Sequence, residues 1–328
     1  MSNQEVRPDE VTLEADAEVE PAGTVEVITA REVPLGGLRA MTVRRTLPSR
    51  ERSLIGAWCF ADHYGPDRVA DTGGMSVAPH PHTGLQTVTW LLDGEVHHQD
   101  SLASDALVRP GELNLMTAGR GISHAETSPP GAVGSVRGLQ LWVALPARHR
   151  DSAAAFSHHD DLPQIRLDGA AVTVLLGSVA GATSPARAFT PIVGAEVTLE
   201  PGTRSALPLE PGFEHGLLAL SDGLTVDDEP LERANLEHFA PGRSQVVVEA
   251  GPAGGRLLLL GGEPFDEELL MWWNFVLRDH DEVVEAREEW MAAVGGAATR
   301  FGDVTGYDGP SLPAPALPTS RLRPRRRR

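Results

Sequence analysis

Short apolar runs of strand length recur along the chain, each broken by Gly or Pro. Examples are TVTWLLDGEV (87–96), AVTVLLGSV (171–179), AEVTLEPG (195–202), HGLLALSDGLTV (215–226), SQVVVEAG (244–251) and RLLLLGGEP (256–264). Runs of this length and spacing predict an all-β chain folded as a sandwich or barrel. One segment has a helical period instead. In DHDEVVEAREEWMAAV (279–294), Val283, Val284, Ala286, Trp290, Met291 and Val294 recur at about helical spacing, and Asp279 or Asp281 is placed to cap the first turn. The stretch near 147–165 is polar and shows no strand pattern. It predicts an inter-domain crossover, with a β-domain on each side.

Both ends depart from this pattern. Residues 1–24 hold seven acids (Glu5, Asp9, Glu10, Glu14, Asp16, Glu18 and Glu20) against Arg7, with no apolar period. They predict a disordered acidic segment. The other end, SLPAPALPTSRLRPRRRR, is Pro-rich and then basic, and 306–328 is expected to be a disordered tail. The intervening chain divides into an N-terminal domain over 25–150 and a C-terminal domain over 151–305.

Composition narrows the function. The 328 residues are 41% hydrophobic, as in a globular protein with two domains' worth of core, and 34 Gly and 26 Pro favour a turn-rich β architecture. The formal charge is -18, and every basic residue is Arg. A surface this acidic repels phosphate backbones, so no nucleic-acid role is expected for the folded body. There is no run of 18 apolar residues and no apolar signal core, so a cytoplasmic location without membrane association is expected. Cys59 is the lone cysteine, so no internal disulfide can form. It reads as a small core residue, since no neighbouring base is apparent.

Candidate chemistry lies in two stretches. VAPHPHTG (77–84) places His80 and His82 two apart, and in a strand such residues face the same side. PGELNLMTAGRGISHAE (110–126) repeats the spacing with His124 and Glu126 after a Gly-rich reversal. Two strands of one barrel would then aim three imidazoles and one carboxylate into one space. That donor set suits a divalent ion such as Fe(II), Mn, Co, Ni or Cu, and four protein ligands leave positions open on a six-coordinate ion. The C-terminal half offers no such pattern: His215 is adjacent to Glu214, and His238 stands alone. Asp62 and His63 could line a pocket mouth or form a turn. His98 and Asp100 suggest a structural hydrogen bond. Trp90, Leu113, Leu115, Met116, Leu139, Leu141 and Val143 read as barrel filling.

These stretches also carry a family resemblance. HPHTGLQTVTWLLDGEVHHQDS (80–101), PGELNLMTAGRGISHAE and GLQLWVALP (138–146) resemble the pirin family of the cupin superfamily. AREVPLGG (30–37), VRRTLP (43–48) and FADHYGP (60–66) resemble the family's opening strands, and MWWNFV (271–276) and RFGDV (300–304), less closely, its end. The resemblance implies a bicupin: two stacked β-barrel (jelly-roll) domains with a short C-terminal helix, and a metal only in the first barrel. It implies His80, His82, His124 and Glu126 as the metal ligands. Gln86 departs from the family, which often has Glu there. Similar proteins open flavonols such as quercetin with O₂, so the implied activity is that of a quercetin 2,3-dioxygenase with Fe(II) as the first choice of metal. Glu126 would then be its base. The alternative the resemblance carries is a non-enzymatic, iron-binding redox sensor that acts by binding a partner protein.

Overall fold

A computed structural model describes residues 24–35 and 41–325. The N-terminal acidic segment, apart from Thr24, lies outside the described residues. The chain forms two β-barrels and one long helix. The first barrel pairs a seven-stranded sheet with a four-stranded one. In the larger sheet Leu85–Asp93, Ser135–Ala144 and Trp58–Arg68 are central; the smaller runs Ser76–His82, Ile122–Thr127, Val96–Asp100, Asp105–Val108. The second barrel repeats the plan around Glu214–Ala219, Gly255–Gly262 and Ile192–Leu199. The apolar runs therefore form strands, as their alternation predicts.

The barrels exchange strands. Val25–Ile28 pairs antiparallel with Leu236–Phe239 of the second barrel. Ala155–His159 pairs with Leu113–Thr117 of the first. This second strand falls inside the stretch expected to be a crossover without strands. It lies at a sheet edge and is mostly half-exposed or exposed, so no face of it needs to be apolar and the alternation that marks a strand is missing.

A shared core joins the barrels. Trp58 is fully buried, and its Nε1–H donates to the carbonyls of Val193 (3.0 Å) and Gly261 (3.2 Å) on second-barrel strands. A Cβ at Gly194 would sit 2.7 Å from the Trp58 ring, so glycine there lets the indole seat against the strand. Buried Arg52 binds Glu26 through Nε and Nη2 (3.1 and 2.9 Å), and Glu214 accepts from the Gly56 N–H at 2.6 Å.

The helix spans His280–Val294, and Asp279 caps it by accepting from the Glu282 N–H at 3.0 Å. The tail expected to be disordered is ordered over 306–325. Leu312 N–H donates to Pro79 O, Trp290 Nε1–H to Leu312 O, and Arg287 Nε–H to Pro315 O. Leu312 packs against the first-barrel core, and Ala314, Leu317 and Leu322 pack beside the helix. Proline lowers the entropy an ordered extended segment must lose, and the spaced Leu and Ala side chains anchor it. Residues 326–328 lie outside the described set.

Two buried imidazoles give the fold an acid sensitivity. Burial, with Arg137 adding to it, pushes His63 down to about 3, and burial pushes His215 down to about 4. Below pH 6.5 the unfolded chain takes up protons that these groups refuse in the fold, so their contribution is complete above 6.5 and is lost as pH falls toward 4. Glu237, raised to about 7 by burial, works in the opposite direction. The urea midpoint of His215→Gln is therefore expected to fall less between pH 7 and pH 5 than that of the parent. An equal fall in both would contradict this.

Candidate metal centre

His80 and His82 lie on Ser76–His82, an edge strand of the smaller sheet of the first barrel. Pro79 and Pro81, on either side of His80, fit this position, because an edge strand needs no ladder N–H on its outer side. The Pro79 carbonyl on that side is taken by the tail instead. Across the ladder His80 pairs with His124, and a register shift between His124 and Glu126 brings Glu126 opposite Val77. On the other side, His124 pairs with Asp100 and Glu126 with His98. Alternation and register thus bring His80, His82 and His124 into one cluster, and Glu126 joins it through His124, with His98 beside both.

The three imidazoles are fully buried and Glu126 is 1% exposed. Ring centroids are 5.1 Å apart for His80 and His82, 4.3 Å for His80 and His124, and 5.0 Å for His82 and His124. One ligand atom from each of the three lies within 4.8 Å of the others. Burial holds all three well below the ordinary imidazole range, and neighbouring imidazoles add to the effect, so they are neutral donors at physiological pH.

Their tautomers are set by hydrogen bonds. His80 Nδ1 meets Ala78 O at 2.9 Å and His82 Nδ1 meets Asn274 O at 3.1 Å. A carbonyl can only accept, so each Nδ1 carries the proton and each Nε2 keeps a lone pair. His124 is set by a relay. Asp100 Oδ2 lies 3.2 Å from His98 Nε2, and His98 Nδ1 lies 3.3 Å from His124 Nδ1. The Asp100 carboxylate accepts from His98 Nε2–H; His98 Nδ1 then accepts from His124 Nδ1–H, and His124 Nε2 is left with its lone pair. Asp100 is anchored in turn by the N–H groups of Leu102 and Ser104, both at 2.9 Å. Burial pulls its pKa up, but the bonds from His98 and Ser104 hold it below the usual carboxylate value.

The Nε2 atoms of His80, His82 and His124 are all buried without a hydrogen-bond partner. Three orphaned lone pairs facing one another are costly unless something electron-poor lies between them. With Glu126 alongside, the set matches nitrogen and oxygen ligation of a divalent first-row ion, and the residues fit such an ion. Glu126 Oε1 also accepts from the Thr89 hydroxyl at 3.1 Å, and the same hydroxyl lies 3.0 Å from Gln140 Oε1.

The relay supports a prediction. His98 stacks on Phe156 at 4.4 Å. His98→Phe keeps a ring there but removes the acceptor that fixes the His124 tautomer. Such a loss is expected to weaken metal binding by about 10- to 100-fold, measured by chelator competition. Unchanged affinity would contradict the relay, and a much larger loss would make His98 itself a ligand, since His98, His124 and Glu126 also lie within 4.8 Å of one another.

The other candidates fall elsewhere. Gln86 donates to Thr117 Oγ1 (2.9 Å) and Arg187 O (3.0 Å), and so ties the two halves of the chain. Asp62 is held by Arg45 through two bonds of 2.7 and 2.8 Å. His63, its neighbour, lies 3.4 Å from Arg137 Nε. Neither lines the cavity walled by Phe60 and Trp142. Cys59 is fully buried, which raises its thiol pKa well above the usual range. Among the described residues no metal-ligand group forms in the second barrel. The Asn274 carbonyl, about 190 residues from His82, carried no sequence signal, because any residue type supplies a carbonyl. A cavity of about 390 Å³ is walled in part by Phe60 and Trp142; none of the four cluster residues lines it, and Trp142 is its link to them. Trp142 stands edge-on to His82 with centroids 5.1 Å apart.

Known proteins share this architecture. Residues 40–143 match the family model described as Pirin, and residues 194–295 match that of the Pirin C-terminal cupin domain. A Pseudomonas aeruginosa chain provisionally named a quercetin 2,3-dioxygenase is 43% identical over 97% of this chain and 98% of its own length. A pirin-like protein of Caulobacter vibrioides is 35% identical over 81% of this chain and 92% of its own. The crystal structure of a quercetin 2,3-dioxygenase from Acinetobacter baumannii is 41% identical, with TM-score 0.85, covering 92% of this chain and 97% of that one.

Proposed function

Because the chain belongs to the pirin family, we propose that it is a metal-dependent dioxygenase that opens flavonols such as quercetin with O₂. The observation that carries the reading is the convergence of three buried, unpartnered Nε2 lone pairs beside one carboxylate. The names of the Pseudomonas and Acinetobacter relatives support the substrate class. Fe(II) is the proposed ion, with Mn, Co, Ni and Cu compatible with the same donors.

His80, His82, His124 and Glu126 are the proposed ligands. Such an ion supplies Lewis acidity toward a phenolic oxygen and a route for electrons to O₂. The chain's own residues do the rest. The Nδ1 bonds to Ala78, Asn274 and His98 orient the imidazoles. Glu126 is the proposed base: it takes the proton of the flavonol 3-hydroxyl while Thr89 steadies its other lone pairs. Phe60 and Trp142, stacked on each other at 4.0 Å, give the cavity an aromatic wall with Trp272 and Trp273. The volume of the cavity that Trp142 links to the cluster falls within the range of small-molecule pockets, which favours an enzyme over a purely protein-binding sensor.

The test is loss of flavonol absorbance by metal-reconstituted protein, followed with and without oxygen. Loss that needs both metal and O₂ is expected. No loss under either condition, with the metal bound, would overturn the reading.

A further inference from the structure

His80 and His82 sit on an edge strand, so the sheet holds the strand that carries them from one side only. The other side is held by chain beyond residue 270. Val276 N–H donates to Thr83 O at 3.0 Å, and Asn274 O accepts from His82 Nδ1 at 3.1 Å. Leu312 N–H, from the Pro-rich tail, donates to Pro79 O at 2.8 Å.

The place of this last bond gives it leverage. The Pro79 carbonyl belongs to the peptide unit that ends in the His80 nitrogen. The carbonyl before it, Ala78 O, accepts from His80 Nδ1 at 2.9 Å. A peptide unit is planar and moves as one body. A donor fixed against Pro79 O therefore fixes the plane from which the His80 side chain projects.

Leu312 is itself fixed. Its carbonyl accepts from the indole N–H of buried Trp290 on the helix, at 2.8 Å, and its side chain packs against the first-barrel core. One residue thus bridges the helix and the strand of His80. Anchors follow on its C-terminal side. Ala314 N–H donates to Met291 Sδ at 3.3 Å, Arg321 binds Asp281 through two bonds of 3.0 and 2.7 Å, and Leu322 N–H donates to His280 Nδ1 at 3.1 Å. The backbone of Arg325 then pairs in both directions with Leu269, at 2.7 and 2.8 Å. On its N-terminal side, Gly302 O accepts from the hydroxyl of Ser123, the residue next to His124, at 2.8 Å.

We propose that residues 306–325 form a strap that positions the metal ligands, with Leu312 as its positioning residue. The strap completes the outer edge of the His80 strand and so sets the affinity and geometry of the centre from outside the barrel. This rests on the proposed ligand set and not on the reaction.

Two full-length variants separate the N–H from the side chain. Leu312→Pro removes the donor, and Leu312→Ala keeps it while removing the packing. Co(II) is the probe, read by chelator competition and by its visible absorption bands. Leu312→Pro is expected to bind Co(II) about tenfold more weakly, as for other partners that orient a ligand, and with shifted bands. Leu312→Ala should keep the parent's affinity and bands, even where its metal-free unfolding temperature falls. A chain ending at Thr305 should lose at least as much affinity as Leu312→Pro; where it fails to fold, the point variants decide. Parental affinity and bands in Leu312→Pro would overturn the strap while leaving the centre in place. An equal loss in both point variants would overturn it too, since the side chain and not the N–H would then be responsible. A parent that binds no Co(II) would overturn the centre itself, and the strap with it.

Discussion

His80→Ala is expected to reduce bound first-row metal from about one ion per chain to less than about a tenth at micromolar concentrations, and to abolish flavonol loss with it. Partners that only orient a ligand cost about 10- to 100-fold in affinity when removed, so loss of a ligand itself should cost more. His80 pairs directly with His124 across the ladder, so its removal opens a gap where two lone pairs had converged. The fold should survive, because the His80 side chain makes one hydrogen bond to its own strand, at Ala78 O. Thermal unfolding separates the outcomes. The parent should gain stability when metal is added, as any ligand of the native state requires, and His80→Ala should not. Glu126→Gln should lose turnover more completely than metal, since a neutral amide can still coordinate through its oxygen but cannot accept the proton. Turnover that persists at parent levels in both variants would remove the centre from the chemistry.

Trp58→Ala is expected to cost about 3–5 kcal/mol of stability, the largest effect of any single truncation away from the centre. The indole is fully buried between the barrels, and its loss leaves both a cavity and two carbonyls, Val193 O and Gly261 O, without their donor. The site cannot collapse easily, because strands of both barrels frame it and Gly194 offers no side chain to fill the space. Trp58→Phe restores most of the volume but not the N–H, so it should recover the larger part of the loss. Denaturant midpoints of the three proteins measure this. Equal midpoints would show that the barrels are held by other contacts, the Arg52–Glu26 pair among them.

Much of this was legible in the sequence, for physical reasons. Strands with two buried faces or a strict alternation announce themselves, as 87–96 and 256–264 do. The H-x-H and H-x-E spacings announce two donors on one face, and the structure groups His80 and His82 with His124, and His124 in turn with Glu126 and His98. Legibility ended where a contact depends on backbone or on distant chain. Asn274 O orients His82 whatever its side chain, and the His98–His124 bond needs the register of two strands. The edge strand Ala155–His159 is too exposed to carry an apolar pattern. The tail over 306–325 is polar and Pro-rich by composition, yet its order comes from a few spaced anchors and from carbonyls that accept side-chain donors.

The central claim is that one ion sits between His80, His82, His124 and Glu126. Anomalous diffraction from crystals of the iron-reconstituted protein tests it most directly. The account predicts a single strong peak within bonding distance of the three Nε2 atoms and one Glu126 oxygen, with the Nδ1 bonds to Ala78, Asn274 and His98 retained. A peak held instead through His98, a peak in the second barrel, or no peak in protein loaded with excess metal would contradict it.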